Sequence, residues 1–588
     1  MNRREFVEIM SAAVAAGLVS GCTQKSANNT NKVTKVNDKN FYDIKNTGQV
    51  RLLHFTDCHA QLEPIYFREP NVNLGIGVAK GRPPHLVGEK FLNYFGIAKN
   101  TRLAHAFTYL DFAEGAKKYG KVGGFAYLRT LVNKLRGEYG TENTLLLDGG
   151  DTWQGSATSL WTRGQDMVRA CNLLGVDVMT GHWEFTYKDE EVLANIKRFK
   201  GEFVAQNVQV SDEAIFDDAP VYDEDTGHAF KPYTIKELNG KRVAVIGQAF
   251  PYTPIANPKR FIPDWSFGIK DAEMQKIVDE VRAAGVDAVV VISHNGMDVD
   301  LKMASKVSGI DVILGGHTHD GVPQPVIIKN SAGKTLVTNA GSNGKFLAVL
   351  DLDIGKGKVN GFNYKLLPIF SNLLEADKEM QALIDKERAP YLSKLQTKLA
   401  VADEVLYRRG NFNGTFDQVI CDALREQGDA QISLSPGFRW GTSILPGQDI
   451  TFEHVMDQTA TTYSQTYVRE MSGKDLKLIM EDIADNLFNI DPYYQQGGDM
   501  VRVGGMDYTI KPNETMGKRI EDMRLDDGSI IEDNKNYKVA GWGQVNSVAP
   551  GREVWEIVSD YLKDHPQVKI KKLNTPKIVG LKNNPGIA

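Results

Sequence analysis

DVILGGHTH, Asp311 through His319, is a short apolar run that stops at two glycines and then delivers two histidines one residue apart. A run this short, with no apolar/polar alternation, suits a strand covered on both faces, as in a sheet packed by helices. The same form recurs along the chain. RLLHFT (51–56) leads into Asp57-Cys58-His59, NTLLLDGG (143–150) into Asp151, GVDVMTG (175–181) into His182, and DAVVVIS (287–293) into His294. EFVAQNV (202–208), RVAVIGQAF (242–250) and KTLVTNA (334–340) are further runs of this kind, with amphipathic helical stretches between them. From Val50 to about residue 370 this alternation specifies an α/β layer architecture, with sheets covered by helices.

In an open α/β sheet, residues just past the carboxyl ends of the strands share one edge, where ligands bind. Five loops therefore bring Asp57, His59, Asp151, His182, His294, His317 and His319 to one place. Two carboxylates and five imidazoles are too many for one tetrahedral ion. They suit two cations about 3.5–4 Å apart sharing a carboxylate bridge, for which Asp151 is the natural candidate. A nitrogen and oxygen donor set without thiolate suits Mn, Zn, Fe or Co better than Ca or Mg, and leaves the choice among the four open. Cys58, with no second cysteine nearby, reads as a packed thiol rather than a ligand.

A length of 588 residues, 42% of them hydrophobic, exceeds one compact core and implies two folded domains. A net charge of −5 without a basic run provides no footprint for nucleic acid. The amino end, MNRREFVEIMSAAVAAGLVSGC (1–22), pairs Arg3 and Arg4 ahead of a short apolar stretch and resembles a twin-arginine export signal. The stretch is too short to span a bilayer of ~30 Å, so periplasmic export is expected. Val19-Ser20-Gly21-Cys22 resembles a lipoprotein cleavage box, making Cys22 a candidate for lipidation and a membrane anchor, against plain cleavage nearby. The remaining Cys58, Cys171 and Cys421 form no disulfide framework.

Residues 23–47 read as a polar tether, 48–372 as the domain bearing the candidate ligands, 373–400 as a helical linker, and 401–575 as a second domain. Residues 64–125 interrupt the alternation as an insertion expected near the site mouth.

The order D-x-H, G-D, G-H-x-E, a lone His and G-H-T-H resembles the two-domain 5′-nucleotidase family of calcineurin-like metallophosphoesterases. The resemblance implies a four-layer sandwich followed by a smaller α/β domain of the 5′-nucleotidase C-terminal type. It also implies one metal on Asp57, His59, Asp151 and His319, another on Asp151, His182, His294 and His317, and a catalytic role for the Asp151 bridge. In that family the domains rotate against each other, which the helical linker would permit here.

MTGHWEFTY (179–187) departs from the family pattern. Ordinary members have Asn where His182 stands and, where Trp183 stands, a His that helps the leaving oxygen. Expelling an alkoxide without a proton donor forfeits typically 10²–10⁴-fold in rate. A thiol ionises near pKa ~8.5 and departs unaided, so the change favours a sulfur leaving group. GHWEFTY, SPGFRWGT (435–442) and QQGGDMVRVGG (495–505) are similar to the SoxB thiosulfohydrolase family. That similarity implies a dimanganese periplasmic hydrolase of thiosulfate oxidation, releasing sulfate from cysteine S-thiosulfonate or S-sulfonate on a SoxYZ-type carrier. The rival readings are a 5′-nucleotidase or other phosphoesterase, and a non-catalytic anion- or partner-binding protein.

Arg439 is the candidate for contacting the substrate anion, because a planar guanidinium binds two oxyanion oxygens at once. Arg408 and Arg409 form a basic turn in YRRGNFNGTFDQ (407–418), with an ion-pair role equally open. Tyr493, Tyr494 and Trp440 lie where nucleotidases clamp a base, and equally suit a channel or core packing. Glu184 reads as a carboxylate orienting a ligand imidazole.

Overall fold

The computed structural model describes residues 38–331 and 333–588. The export signal, Cys22 and residues 23–37 of the expected tether lie outside the described residues.

The apolar runs pair as two six-stranded sheets. The first is ordered Lys358–Pro368, Phe346–Gly355, Val50–Phe55, Thr144–Asp148, Val178–Met179, Glu202–Phe203. Its last four strands run parallel, and Phe346–Gly355 joins antiparallel. The second is ordered Val326–Asn330, Gly333–Asn339, Val312–Gly315, Ala288–Ser293, Lys241–Gln248, Tyr233–Leu238, with its four middle strands parallel. Register brings the strand ends level. Phe55 pairs with Asp148 and Asp148 with Met179, while Ser293 pairs with Gly315. The loops that follow therefore emerge side by side.

Leu52, Leu145, Leu147 and Val178 of the first sheet meet Val245, Val290, Ile292, Val312 and Leu314 of the second in one buried layer. Burial on this face and on the opposite one explains why these strands read as continuous apolar runs. Helices Phe125–Tyr139 and Gln165–Leu174 cover the outer face of the first sheet, and Asp271–Ala283 and Met297–Lys306 that of the second. The result is a four-layer sandwich.

Three expected boundaries differ. Met380 and Ile384, on helix Lys378–Arg388, are buried in the core against the first sheet, so the stretch read as a linker is mostly first-domain structure. Tyr42 ends the tether early: its hydroxyl donates to the Pro368 carbonyl at 3.0 Å and accepts the Phe370 N–H at 2.9 Å. The second domain continues past 575, since Lys577–Ile578 adds a parallel strand to Met506–Ile510.

The second domain packs helix Thr415–Gly428 against a sheet ordered Thr466–Ser472, Asn536–Trp542, Ile432–Ser435, Arg502–Gly504, and helix Val554–Asp564 packs on Thr415–Gly428. The insertion folds as helices Gly88–Phe95, Arg102–Phe107 and Phe112–Tyr119. Its Phe91 and Phe107 share a cluster with Phe346 and Phe370 of the sandwich.

A candidate two-metal centre closed by the second domain

The level strand ends deliver seven side chains into two quartets, Asp57, His59, Asp151, His319 and Asp151, His182, His294, His317, with the donor atoms of each within 4.8 Å of one another. All seven are buried. Asp151 belongs to both: its Oδ2 lies 3.1 Å from His182 Nδ1, 3.0 Å from His294 Nε2 and 3.7 Å from His59 Nε2. His59 Nε2 and His319 Nε2 approach to 3.0 Å, with Asp57 Oδ1 3.2 Å from the latter.

This donor set fits a pair of cations. Burial, reinforced by His182 and His294 for His317 and by Arg409 and Arg439 for His319, holds both imidazoles well below their usual range. Burial likewise brings His59 to about 4. These are neutral bases, the form a cation requires. At His294 burial opposes charge, but Asp151 and Asp57 outweigh it and raise the ring to about 10. His294 Nδ1 donates to the Gly149 carbonyl at 2.7 Å, so Nε2, facing Asp151, would ligate a cation by giving up its proton.

The backbone is bent to make this possible. Asp57, His59, Asp151, His317 and His319 all have positive φ, between 46° and 70°. Five non-glycine residues in that region at one site are costly, and the surrounding structure must hold them. Glu184 is one such support. Its carboxylate accepts the backbone N–H groups of Asp151, Thr152, Trp153 and His182 at 3.2, 2.7, 3.1 and 2.8 Å. Glu184 thus binds two ligand loops together and orients no imidazole, which corrects the role expected from sequence. Thr56 Oγ1 and the His317 N–H both donate to Asp57, at 2.6 and 3.0 Å. Gly316 is needed here, because a Cβ would fall 2.4 Å from Thr56 Oγ1.

The second domain closes the site. Trp440 stacks on His59, with centroids 5.3 Å apart at 30°, and meets Trp183 edge-on at 5.0 Å. Trp183 also packs against Phe438 and Tyr463. Arg439 Nη1 donates to the His317 carbonyl at 3.3 Å and Nη2 to the Gly498 carbonyl at 2.7 Å, while its Nε lies 3.6 Å from Asp499 Oδ1. Arg409 Nη2 donates to the Thr318 carbonyl at 2.8 Å. Gly497 lies so close to His317 that a Cβ would meet Nε2 at 1.8 Å. A pocket of about 60 Å³ opens beside His317, lined by Arg409, Arg439 and Gly497 of the second domain and by Asn73, Pro84 and His85 of the insertion.

Not every residue singled out from sequence reaches this pocket. Arg408 is buried and fully engaged, donating to Asp417 at 2.7 Å and to the Gln458 and Pro436 carbonyls at 2.6 and 3.2 Å, so it is a structural residue. Its neighbour Arg409 faces the site instead. Tyr493 lies outside the pocket lining, with the Lys302 ammonium 3.9 Å above its ring. Tyr494 is 63% exposed. Cys58 is packed in the first-domain core. His85, paired with Asp298 at 2.8 Å, was not singled out from sequence, since an insertion carries no strand-end signal.

A family described as calcineurin-like phosphoesterase matches residues 50–321, and one described as 5′-nucleotidase, C-terminal domain, matches residues 398–552. The solved sulfate thiohydrolase SoxB from Thermus thermophilus is 35% identical, with a TM-score of 0.85, over 92% of this chain and 99% of its own. The chain belongs to the two-domain 5′-nucleotidase family of calcineurin-like metallophosphoesterases. The family points to a metal-dependent hydrolase, and the two quartets are clusters that could hold a metal pair. Two curated relatives also match. The trifunctional nucleotide phosphoesterase YfkN of Bacillus subtilis is 26% identical over 77% of this chain and 33% of its own length, and a 5′-nucleotidase of Rattus norvegicus 29% over 40% and 42%. The chain spans from a third to under half the length of these curated relatives.

Proposed function

We propose that this hydrolase releases sulfate from a cysteine S-thiosulfonate or S-sulfonate displayed by a SoxYZ-type carrier in the periplasm, with two Mn²⁺ ions on the quartets. The observation that carries the reading is the environment of Trp183. Its indole sits in a box of Phe438, Trp440 and Tyr463, and the Tyr463 hydroxyl already donates to the Ala256 carbonyl at 2.6 Å. The box offers no proton to a departing alkoxide, whereas a persulfide leaves as an anion.

For the S-thiosulfonate, water adds to the terminal sulfur as the S–S bond breaks. The products are sulfate, the carrier persulfide anion and two protons. A bound cation pair supplies a nucleophile from water at neutral pH and draws charge from the attacked oxyanion. The protein's part is to hold Asp151 between the quartets, to present the Arg439 guanidinium to the oxyanion, and to exclude bulk water with Trp440 and Gly497. A pocket of about 60 Å³ holds a few waters or one tetrahedral oxyanion. The 35% identity to a sulfate thiohydrolase supports the same reading.

The test offers metal-loaded protein a carrier bearing cysteine S-thiosulfonate or S-sulfonate, with AMP and p-nitrophenyl phosphate in parallel. Sulfate release with little phosphate release is expected. Rapid AMP hydrolysis would establish a nucleotidase instead.

A further inference from the structure

One wall of the pocket belongs in sequence to the first domain but is built into the second. The Val72 carbonyl accepts the Asn411 N–H at 3.1 Å, the Leu74 N–H donates to Asn411 Oδ1 at 2.6 Å, and the Ser443 N–H donates to the Tyr66 carbonyl at 2.7 Å. Leu74, 3% exposed, sits in the second-domain core with Phe412, Leu434 and Phe488.

Residues 581–588 run along the other edge of this wall. The Asn73 N–H donates to the Gly586 carbonyl at 2.8 Å, the Ala588 N–H to the Asn71 carbonyl at 3.0 Å, and the Val87 N–H to the Pro585 carbonyl at 3.1 Å. Asn584, 5% exposed, donates from Nδ2 to the Gly75 carbonyl at 2.8 Å. Leu581 joins the same core as Leu74. Only glycine fits at 586, where a Cβ would stand 2.0 Å from the Asn73 carbonyl oxygen.

Asn73, Leu74, Pro84 and His85 line the pocket together with Arg409, Arg439 and Gly497. Their position is set from two sides: the second domain and residues 581–588 hold the backbone around Val72–Gly75, while Asn73 Nδ2 donates to Asp320 at 3.1 Å and His85 pairs with Asp298 at 2.8 Å on the first domain. We propose that residues 581–588 are a strap that pins the insertion to the second domain, fixes the width of the substrate pocket and so selects compact oxyanions over nucleoside monophosphates. The choice of substrates rests on the reading above; the pinning stands on the contacts alone. A wall held by several backbone bonds and a shared core opens only as a unit, so losing the strap loosens bonds the strap does not itself make.

The test compares amide hydrogen exchange in the full chain, in a chain lacking residues 581–588, and in Gly586→Val. The Leu74, Asn411 and Ser443 amides, none bonded to the strap, are expected to exchange about tenfold faster or more in both variants, with the Val290 amide unchanged. Asn584→Ala should give a smaller shift in the same direction, and serves if the truncated chain does not fold. Calorimetric titration with AMP should show binding in the variants and none in the full chain, with inorganic sulfate binding throughout. Unchanged exchange at Leu74, Asn411 and Ser443 overturns the pinning, and AMP binding to the full chain overturns the selection. Neither readout involves sulfate release from a carrier, so the two proposals fail separately.

Discussion

Trp440 of the second domain lies flat on His59 of the first, with ring centroids 5.3 Å apart, and is 2% exposed. The metal quartet containing His59 therefore has a lid from the other domain. Trp440→Ala should cost about 3–5 kcal/mol of stability, the range for emptying a buried Trp site, and lower activity more than Trp440→Phe, which keeps a ring on His59. Thermal melts and rates on both variants decide this. Equal activity of the two would remove the stacked ring from any functional role.

The family resemblance implies an imidazole where Trp183 stands, and the Trp183 backbone N–H donates to Asp151 at 2.7 Å. Trp183→His should leave that backbone bond intact and return a proton donor beside the metal quartets. A gain on the order of 10²-fold in p-nitrophenyl phosphate or AMP hydrolysis is expected. No gain would indicate that the indole shapes the pocket rather than marking the absence of an acid.

Glu184 gathers four backbone N–H groups of the Asp151 and His182 loops. Glu184→Ala strands those donors in a buried place, at about 1–3 kcal/mol for each left unsatisfied. The strained turns at Asp151 and its neighbours should then relax. Elemental analysis is expected to show less than full metal loading, together with a lowered Tm. Full loading with an unchanged Tm would mean that the loops hold themselves.

Asp166 supplies a pH signature distant from the quartets. Burial is the largest influence and raises its carboxyl from 3.8 to about 6, with Thr162 Oγ1 and the Met167 N–H donating to Oδ1 at 2.9 and 2.8 Å. The folded state therefore binds this proton more tightly than the unfolded chain. The favourable contribution is complete below pH ~4 and disappears as pH rises through about 6, a change of roughly 3 kcal/mol. Asp166→Asn removes the titration, so its Tm relative to the parent should be higher at pH 8 than at pH 5. A difference independent of pH would contradict the buried-carboxyl assignment.

The seven candidate ligands were legible because each follows directly on an apolar run, and strand register carries that local signal to one sheet edge. The alternation of runs and amphipathic stretches likewise specified the layered first domain. Glu184 was visible as a residue but not in its role. The turn at His182 directs its carboxylate at backbone N–H groups, and side-chain direction in a loop has no periodicity to reveal it. Arg408 and Arg409 are adjacent and chemically alike, yet one is buried against Asp417 and the other faces the Thr318 carbonyl.

By itself the sequence determined the chemistry available: two carboxylates, five imidazoles, and a tryptophan where a proton donor would serve phosphate esters. Only the tertiary structure decided how that chemistry is enclosed, by Trp440 over His59, Gly497 against His317 and the insertion wall held by residues 581–588. Ligands at strand ends are placed by local pattern. Closure depends on contacts between segments far apart in the chain, whose packing partners no local pattern names.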